Sequence, residues 1–344
     1  MNKDLKLLFE EYKNHDYWDN NLINHSKVVD FESNGPRVLI EPPFRDNKGI
    51  NFGSVLDTLI TDTVNFNNLY TIVEENIIPN EKIQSFLKSI PGFGFIELRA
   101  VDKDFLVSEA NRLELFPNCK KSETILNKIY LYSEYYDIIQ KNRRKKIITR
   151  QMYESAVECV EALRSSKMTS WIFDNKFDIL YQVPIFSDLY NGTKCKIDIL
   201  CVDSVNKKIY PFDLKFSSFP ENQFIQQAFY KFKYYREAEL YENILKDFID
   251  KSAFSDYEVE DFRFIVINDK TLTPIVYKFP IIYDEYDNLK IGNVKTVKPI
   301  KDVIDEMRWH IDMNEFDYER ALYERMMLCQ NEGETAMYPE ISII

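Results

Sequence analysis

Asp198, Asp213 and Lys215 are the residues of this chain whose types and spacing could carry out hydrolytic chemistry. Asp198 lies in the apolar run KCKIDILCVDS (194–204), flanked by Ile197 and Ile199, where an ionised carboxylate is costly unless a cation neutralises it. Asp213 and Lys215 stand two apart in KIYPFDLKF (208–216), so on a strand both side chains project from one face. On neighbouring strands the two aspartates can meet and offer oxygen ligands to a hard divalent cation such as Mg2+ or Mn2+. A lysine beside such an ion can orient or help deprotonate an attacking water and offset charge accumulating on a phosphate, with the metal as Lewis acid. The composition leaves few rivals: eight Gly and three His (His15, His25, His310) give little material for Gly-rich phosphate loops or histidine catalysis.

Residues placed in this way need a sheet to hold them. FDILYQVPIF (177–186), a turn at Asn191-Gly192, the 194–204 run, a turn near Asn206 and the 208–216 run predict an antiparallel meander. A helix follows Pro220 over 221–248, and FRFIVI (262–267) and IVYKF (275–279) predict two further strands around a turn near Asp269. Upstream, 3–13 reads as a short helix, and 27–50, with VVDFES, Pro36, Pro42 and Pro43, as strands and turns. Asn51 to Asn65 predicts a helix whose apolar stripe is Val55, Leu56, Leu59, Ile60 and Thr63. Helical periodicity recurs at 80–90 and 122–165, the latter with Tyr153, Ala156, Val157, Val160 and Leu163 on one face. Pro299 to Leu328 reads as charged amphipathic helix.

Asp198 on one strand, with Asp213-Leu214-Lys215 on the next, resembles the D…(D/E)xK signature of the PD-(D/E)XK nuclease superfamily. Two other segments are similar to flanking motifs of its RecB-like and phage exonuclease branch. Gln226-Gln227-Ala228-Phe229-Tyr230 matches a QxxxY pattern, and Gly53-Ser54-Val55-Leu56-Asp57 has the spacing of G-(T/S)-x-x-H.

The resemblance covers 50–66 and 175–280 and implies an α/β (α+β) restriction-endonuclease-like core, a central mixed sheet flanked by helices with N- and C-terminal elaborations. On that basis 1–344 is one elaborated nuclease domain, with a mostly helical insertion at 81–170 and a C-terminal helical extension at 281–344. The implied activity is Mg2+- or Mn2+-dependent hydrolysis of DNA phosphodiesters, as an exonuclease of phage-type recombination or DNA processing. A recombination or replication protein would be a further partner. The implied metal ligands are Asp198, Asp213, Leu214 and Asp57, with Gln226 and Tyr230 at the substrate.

The chain departs from the pattern at two positions. Asp57 stands where a metal-binding His is usual, and carboxylate can replace imidazole for Mg2+ or Mn2+. Gln182 stands where many relatives carry an acid on the strand before the first catalytic Asp. Those departures define the alternative, a catalytically inactive module of the same superfamily that binds nucleic acid or a protein partner. Nucleotide transfer by paired aspartates lacks the expected Gly-Ser loop before the carboxylates.

The whole chain is compatible with this chemistry. Its 344 residues, 45% apolar and 15% aromatic, can fill a large core, and no repeat or linker divides them, which favours one domain. The sequence shows neither an apolar run near the ~20 residues of a membrane span nor a signal peptide, so a cytoplasmic protein is expected, in a host cytoplasm if phage-encoded. Five scattered cysteines without a CxxC pair predict reduced thiols, no zinc site and no iron–sulfur cluster. A net charge of −12 argues against coating nucleic acid by bulk attraction but permits a local phosphate site. The acid-free run Lys141, Arg143, Arg144, Lys145, Lys146 and Arg150 would by default be a solvated face; against that background it is the candidate contact to a DNA backbone.

Overall fold

Asn24 and Gly35 frame α1 (His25–Asn34) in the computed structural model, which describes residues 9, 17, 22–43, 52–90, 96–174, 176–292 and 295–325. The Asn24 side chain accepts from the Lys27 N–H, and Gly35 ends the helix at φ +80°. Pro36–Leu39 continues as a 3-10 turn. This corrects the strand reading of 27–50: the two caps outweigh the strand preference of Val28, Val29 and Phe31, and Val28 and Phe31 are buried. The expected helix over 3–13 lies outside the described residues apart from Phe9.

The chain continues through α2 (Phe52–Thr61), β1 (Tyr70–Val73), α3 (Glu81–Ser89), α4 (Lys103–Arg112), α5 (Ser122–Tyr130), α6 (Ser133–Lys141), β2 (Lys146–Thr149) and α7 (Arg150–Ser165). Helix α2 buries Val55, Leu56, Leu59 and Ile60, the stripe expected of it. The helical periodicity expected over 122–165 is interrupted by a strand. Ile147, Ile148 and Thr149 are β-branched and pair in parallel with Thr71, Ile72 and Val73, with Ile148 buried.

The third stretch holds β3 (Asp178–Ser187), β4 (Thr193–Asp203), β5 (Lys208–Phe216), α8 (Tyr234–Asp250), β6 (Glu258–Val259), β7 (Phe262–Ile267), β8 (Ile275–Phe279), β9 (Leu289–Ile291), β10 (Lys295–Val297) and α9 (Ile300–Met313). The strand order is β3-β4-β5-β7-β8, with β6 beside β5. The meander β3–β4–β5 is antiparallel, β7 joins β5 in parallel, and β8 closes the edge antiparallel. This is a central mixed sheet flanked by helices: α8 lies against β3, β4 and β7, and α1 packs on α8 and α9. The parallel step requires a crossover, which α8 supplies.

The helix expected over 221–248 is broken. A 3-10 turn (Glu221–Gln223) leads into a π-helical turn (Ile225–Phe229), and Lys233 takes a left-handed φ of +52° before α8 begins.

Two compact units result, 1–47 with 163–344, and 48–162. Each has its own apolar interior: Leu200, Ile244, Phe262 and Ile304 in the first, Val55 and Leu87 in the second. Among the described residues no helix is long and apolar enough to cross a membrane. Among the described residues Cys119, Cys159, Cys195 and Cys201 are thiols outside any disulfide, the last three buried.

Candidate functional site

Strands β4 and β5 stay paired as far as Ile199 opposite Phe212, which puts Asp198 and Asp213 opposite each other one step further on. There a side chain takes over from the ladder: the Leu214 N–H donates to Asp198 Oδ2 at 2.9 Å. On β3, Tyr181 pairs with Ile199 and Val183 with Ile197, so Gln182 faces Asp198 and its Nε2 donates to Oδ1 at 3.1 Å. Gln182 holds φ at +51°, a left-handed backbone that costs a non-glycine residue about 1–3 kcal/mol. On the other side Asp213 registers with Phe264, and Phe264 with Tyr277. One row of side chains therefore crosses the sheet: Gln182, Asp198, Asp213, Phe264, Tyr277.

Lys215 shares the face of Asp213, as its two-residue spacing requires. Its Nζ lies 2.7 Å from Asp213 Oδ2 and 2.7 Å from Glu237 Oε2, with the Tyr234 ring 4.4 Å away. Neither Asp213 Oδ2 nor Glu237 Oε2 has an aligned hydrogen bond, although both are buried. The ammonium therefore serves them by charge, and both retain lone pairs for another cation.

Glu237 is the member that sequence reading missed. It sits in the first turn of α8, four and seven residues before the buried Tyr241 and Ile244, so its place on an apolar stripe was the available signal. A cavity of about 190 Å3 opens over Gln182, Lys196, Asp198, Asp213, Glu237 and Tyr241, beside the Asn24 cap of α1.

Burial, and then the charge of Asp213, raise the pKa of Asp198 to about 7. Burial, and then Glu237, do the same for Asp213, also to about 7. Burial works against the Lys215 ammonium, but Asp213 and Glu237 outweigh it and hold its pKa well above the ordinary lysine range. A lysine in that state suits charge compensation rather than proton abstraction from water.

The pair gives stability a definite pH dependence. Its folded pKa of about 7 exceeds the unfolded value of about 4, so between them the folded state binds more protons. Its contribution to stability is full below pH ~4 and is lost as the pH rises toward 7, levelling off above. Urea midpoints in EDTA across that range, wild type minus Asp198→Asn, isolate this slope. A difference that is flat or rises with pH would show that the two carboxylates are not forced together.

The lining of this cavity includes none of the other expected site residues. Gln226 and Tyr230, on the π-helical turn and just after it, are exposed and do not line the cavity. Asp57 is half-buried on α2, in the second unit. The basic run also belongs to that unit. It is spread from the end of α6 (Lys141) through the turn at 142–145 to the starts of β2 (Lys146) and α7 (Arg150), with Arg143, Arg144 and Lys146 exposed and Arg150 paired with Glu74. Leu214 contributes its N–H to Asp198. Among the described residues no group of three or more His, Cys, Asp and Glu is gathered as for a metal ion, which leaves the aspartate pair as the candidate donor set. Comparison of the chain with protein-family models and with curated proteins finds no match.

Proposed function

We propose that this chain is a metal-dependent DNA nuclease of the PD-(D/E)XK type, with a restriction-endonuclease-like core formed by α1, β3–β5, α8 and β7. The observation that carries the reading is the meeting of Asp198 and Asp213 across β4 and β5 under a polar cavity, with Lys215 paired to Asp213. Two carboxylates suit Mg2+ or Mn2+, which keep several waters and take further oxygens from a substrate phosphate. When bound, such an ion supplies Lewis acidity and a more acidic water. Gln182 and the Leu214 N–H fix the Asp198 carboxylate, so its ligand orientation is set before substrate arrives. Lys215, kept cationic, offsets charge that builds up on the phosphate. Lys196, two residues before Asp198 and lining the same cavity, adds positive charge for the substrate.

End-labelled linear and closed circular DNA, incubated with the purified chain with and without Mg2+ or Mn2+, test the proposal. Metal-dependent loss of the linear substrate alone marks an exonuclease, and nicking of the circle an endonuclease. No cleavage under any condition moves the assignment to the inactive module, a reading favoured by the neutralisation of Lys215 by two carboxylates.

Divalent metal is expected to raise the melting temperature, because buried carboxylates lose their mutual repulsion and a ligand of the native state stabilises it by mass action. Melting in EDTA, Mg2+ and Mn2+ reads this directly. An Asp213→Asn protein should lose most of the shift, and an undiminished shift would place the metal elsewhere.

The basic turn is proposed to contact the DNA backbone. Replacing Arg143, Arg144, Lys145 and Lys146 together by Gln should raise the apparent KM for duplex DNA and nearly preserve turnover at saturation. The log–log salt slope should flatten by about one unit for each phosphate that the variant no longer neutralises. Unchanged affinity and slope would assign the run to a solvated surface.

A further inference from the structure

The QxxxY segment that the catalytic cavity leaves unused belongs to a second concavity in the same unit. A groove of about 510 Å3 lies between the edge strand β8, the π-helical turn Ile225–Phe229 and β9. Its walls carry Phe229, Tyr230, Tyr277 and Phe279, and its floor is Phe264. Phe229 packs 5.3 Å from Phe279 and at right angles to Tyr230, 5.5 Å away, so the rings are held by one another. The Tyr277 hydroxyl is fixed by donating to the Glu221 carbonyl at 2.7 Å. Tyr230 is 41% exposed, which leaves its ring available as a stacking surface.

The polar lining is one-sided. Among the described residues Lys278 and Lys290 are its charged residues and no acid lines the groove, although the chain carries a net charge of −12. Lys278 shares its charge with Asp261 at 2.6 Å, and Lys290, exposed on β9, has Asp284 within electrostatic reach but no ion pair among the described residues. Phe264 ties the groove to the catalytic centre. It registers with Asp213 on one side and Tyr277 on the other, and its ring lies 6.0 Å from Lys215 Nζ.

We infer that this groove is a single-stranded nucleic-acid subsite, in which an unpaired base stacks on Tyr230 and its aromatic neighbours while Lys290 meets the adjoining phosphate. Aromatic faces with neighbouring cations match a nucleotide, which has a flat π surface and a negative charge, better than an apolar peptide, which has no use for the lysines. A base paired in duplex has both faces covered by its neighbours, so the occupant is a strand already unwound or unpaired. The inference rests on the nuclease reading for its biological sense, but binding is measurable without cleavage.

The test is fluorescence anisotropy of a fluorescein-labelled oligo(dT) with the full chain in EDTA. Tyr230→Ala should weaken binding by about tenfold, the loss of roughly one stacked base, while Tyr230→Phe keeps wild-type affinity. Lys290→Gln should weaken binding and reduce the log–log salt slope by about 0.7. Lys290 is exposed, so this variant remains informative if Tyr230→Ala is poorly folded by circular dichroism. Wild-type binding by both Tyr230→Ala and Lys290→Gln overturns the inference, as does an apolar dye that fills the groove and is not displaced by oligo(dT). The two readings also fail separately. Groove-dependent binding without metal-dependent cleavage removes the nuclease and keeps the subsite, whereas cleavage with oligo(dT) binding untouched by the groove variants does the reverse.

Discussion

Replacing Asp198, Asp213 or Lys215 singly by alanine is expected, on the proposed nuclease reading, to reduce DNA cleavage by about a thousandfold or more, since each change removes a proposed metal ligand or the charge proposed to face the phosphate. Their effects on folding should differ, which separates the site from a purely structural cluster. Asp213→Ala takes a carboxylate out of a buried group that already disfavours its ionised form, and Lys215 keeps Glu237 as a partner. The metal-free Asp213 variant should therefore melt no lower than wild type. Lys215→Ala instead leaves Asp213 and Glu237 buried together without a cation and should melt lower. Nuclease assays and melting curves on the three proteins decide this; near wild-type cleavage by any one of them would show that the site is misplaced.

Arg236→Ala is expected to lower stability by about 3–5 kcal/mol, the cost of breaking a buried ion pair from one side. Arg236 is 1% exposed and reaches Glu32 of α1 at 2.6 Å, Glu239 at 3.0 Å and the Lys298 carbonyl at 2.6 Å. Without it Glu239, fully buried, retains the Ile300 N–H and the Tyr283 hydroxyl but no cation. The exposed Arg320–Glu324 pair supplies the contrast, and Arg320→Ala should cost no more than ~0.5 kcal/mol. Urea unfolding of both variants gives the comparison, and a cost below about 1 kcal/mol for Arg236→Ala would mean that the buried network is dispensable. Because Arg236 adjoins Glu237, the same anchor helps hold the residue that meets Lys215.

Much of the sheet was legible because its strands are short, apolar and punctuated. Asn191-Gly192 and the turn at Asn206 bracket β4, and β7 and β8 fall where FRFIVI and IVYKF predict them. The coming together of Asp198, Asp213 and Lys215 was legible for the same reason, since two antiparallel strands and a two-residue spacing leave few alternatives. Helix α1 was not read: the strand preference of Val28, Val29 and Phe31 led to strands and turns over 27–50, and the caps Asn24 and Gly35 went unused. Local pattern did not reveal β2, because KIIT continues the helical spacing of its neighbours and becomes a strand through pairing with β1. The break before α8 depends on tertiary packing, with Phe224 stacked on Tyr234 and Tyr277. Glu237 was hidden for a related reason: an acid on an apolar stripe acquires its meaning from Lys215, on a strand earlier in the chain.

The division of the first unit into 1–47 and 163–344 has a consequence for synthesis on the ribosome. Helix α1 emerges early, yet its anchor Arg236 follows Glu32 by 204 residues. At about 5–20 residues per second that interval lasts on the order of ten to forty seconds. During it Val28 and Phe31, buried in the finished core, lack α8 and α9, the helices on which α1 packs. The 48–162 unit, contiguous in sequence, can complete its own core in the meantime. Nascent chains stalled before residue 236 should therefore protect 48–162 from protease while leaving α1 open to cleavage, making the amino-terminal helix the segment most in need of a chaperone.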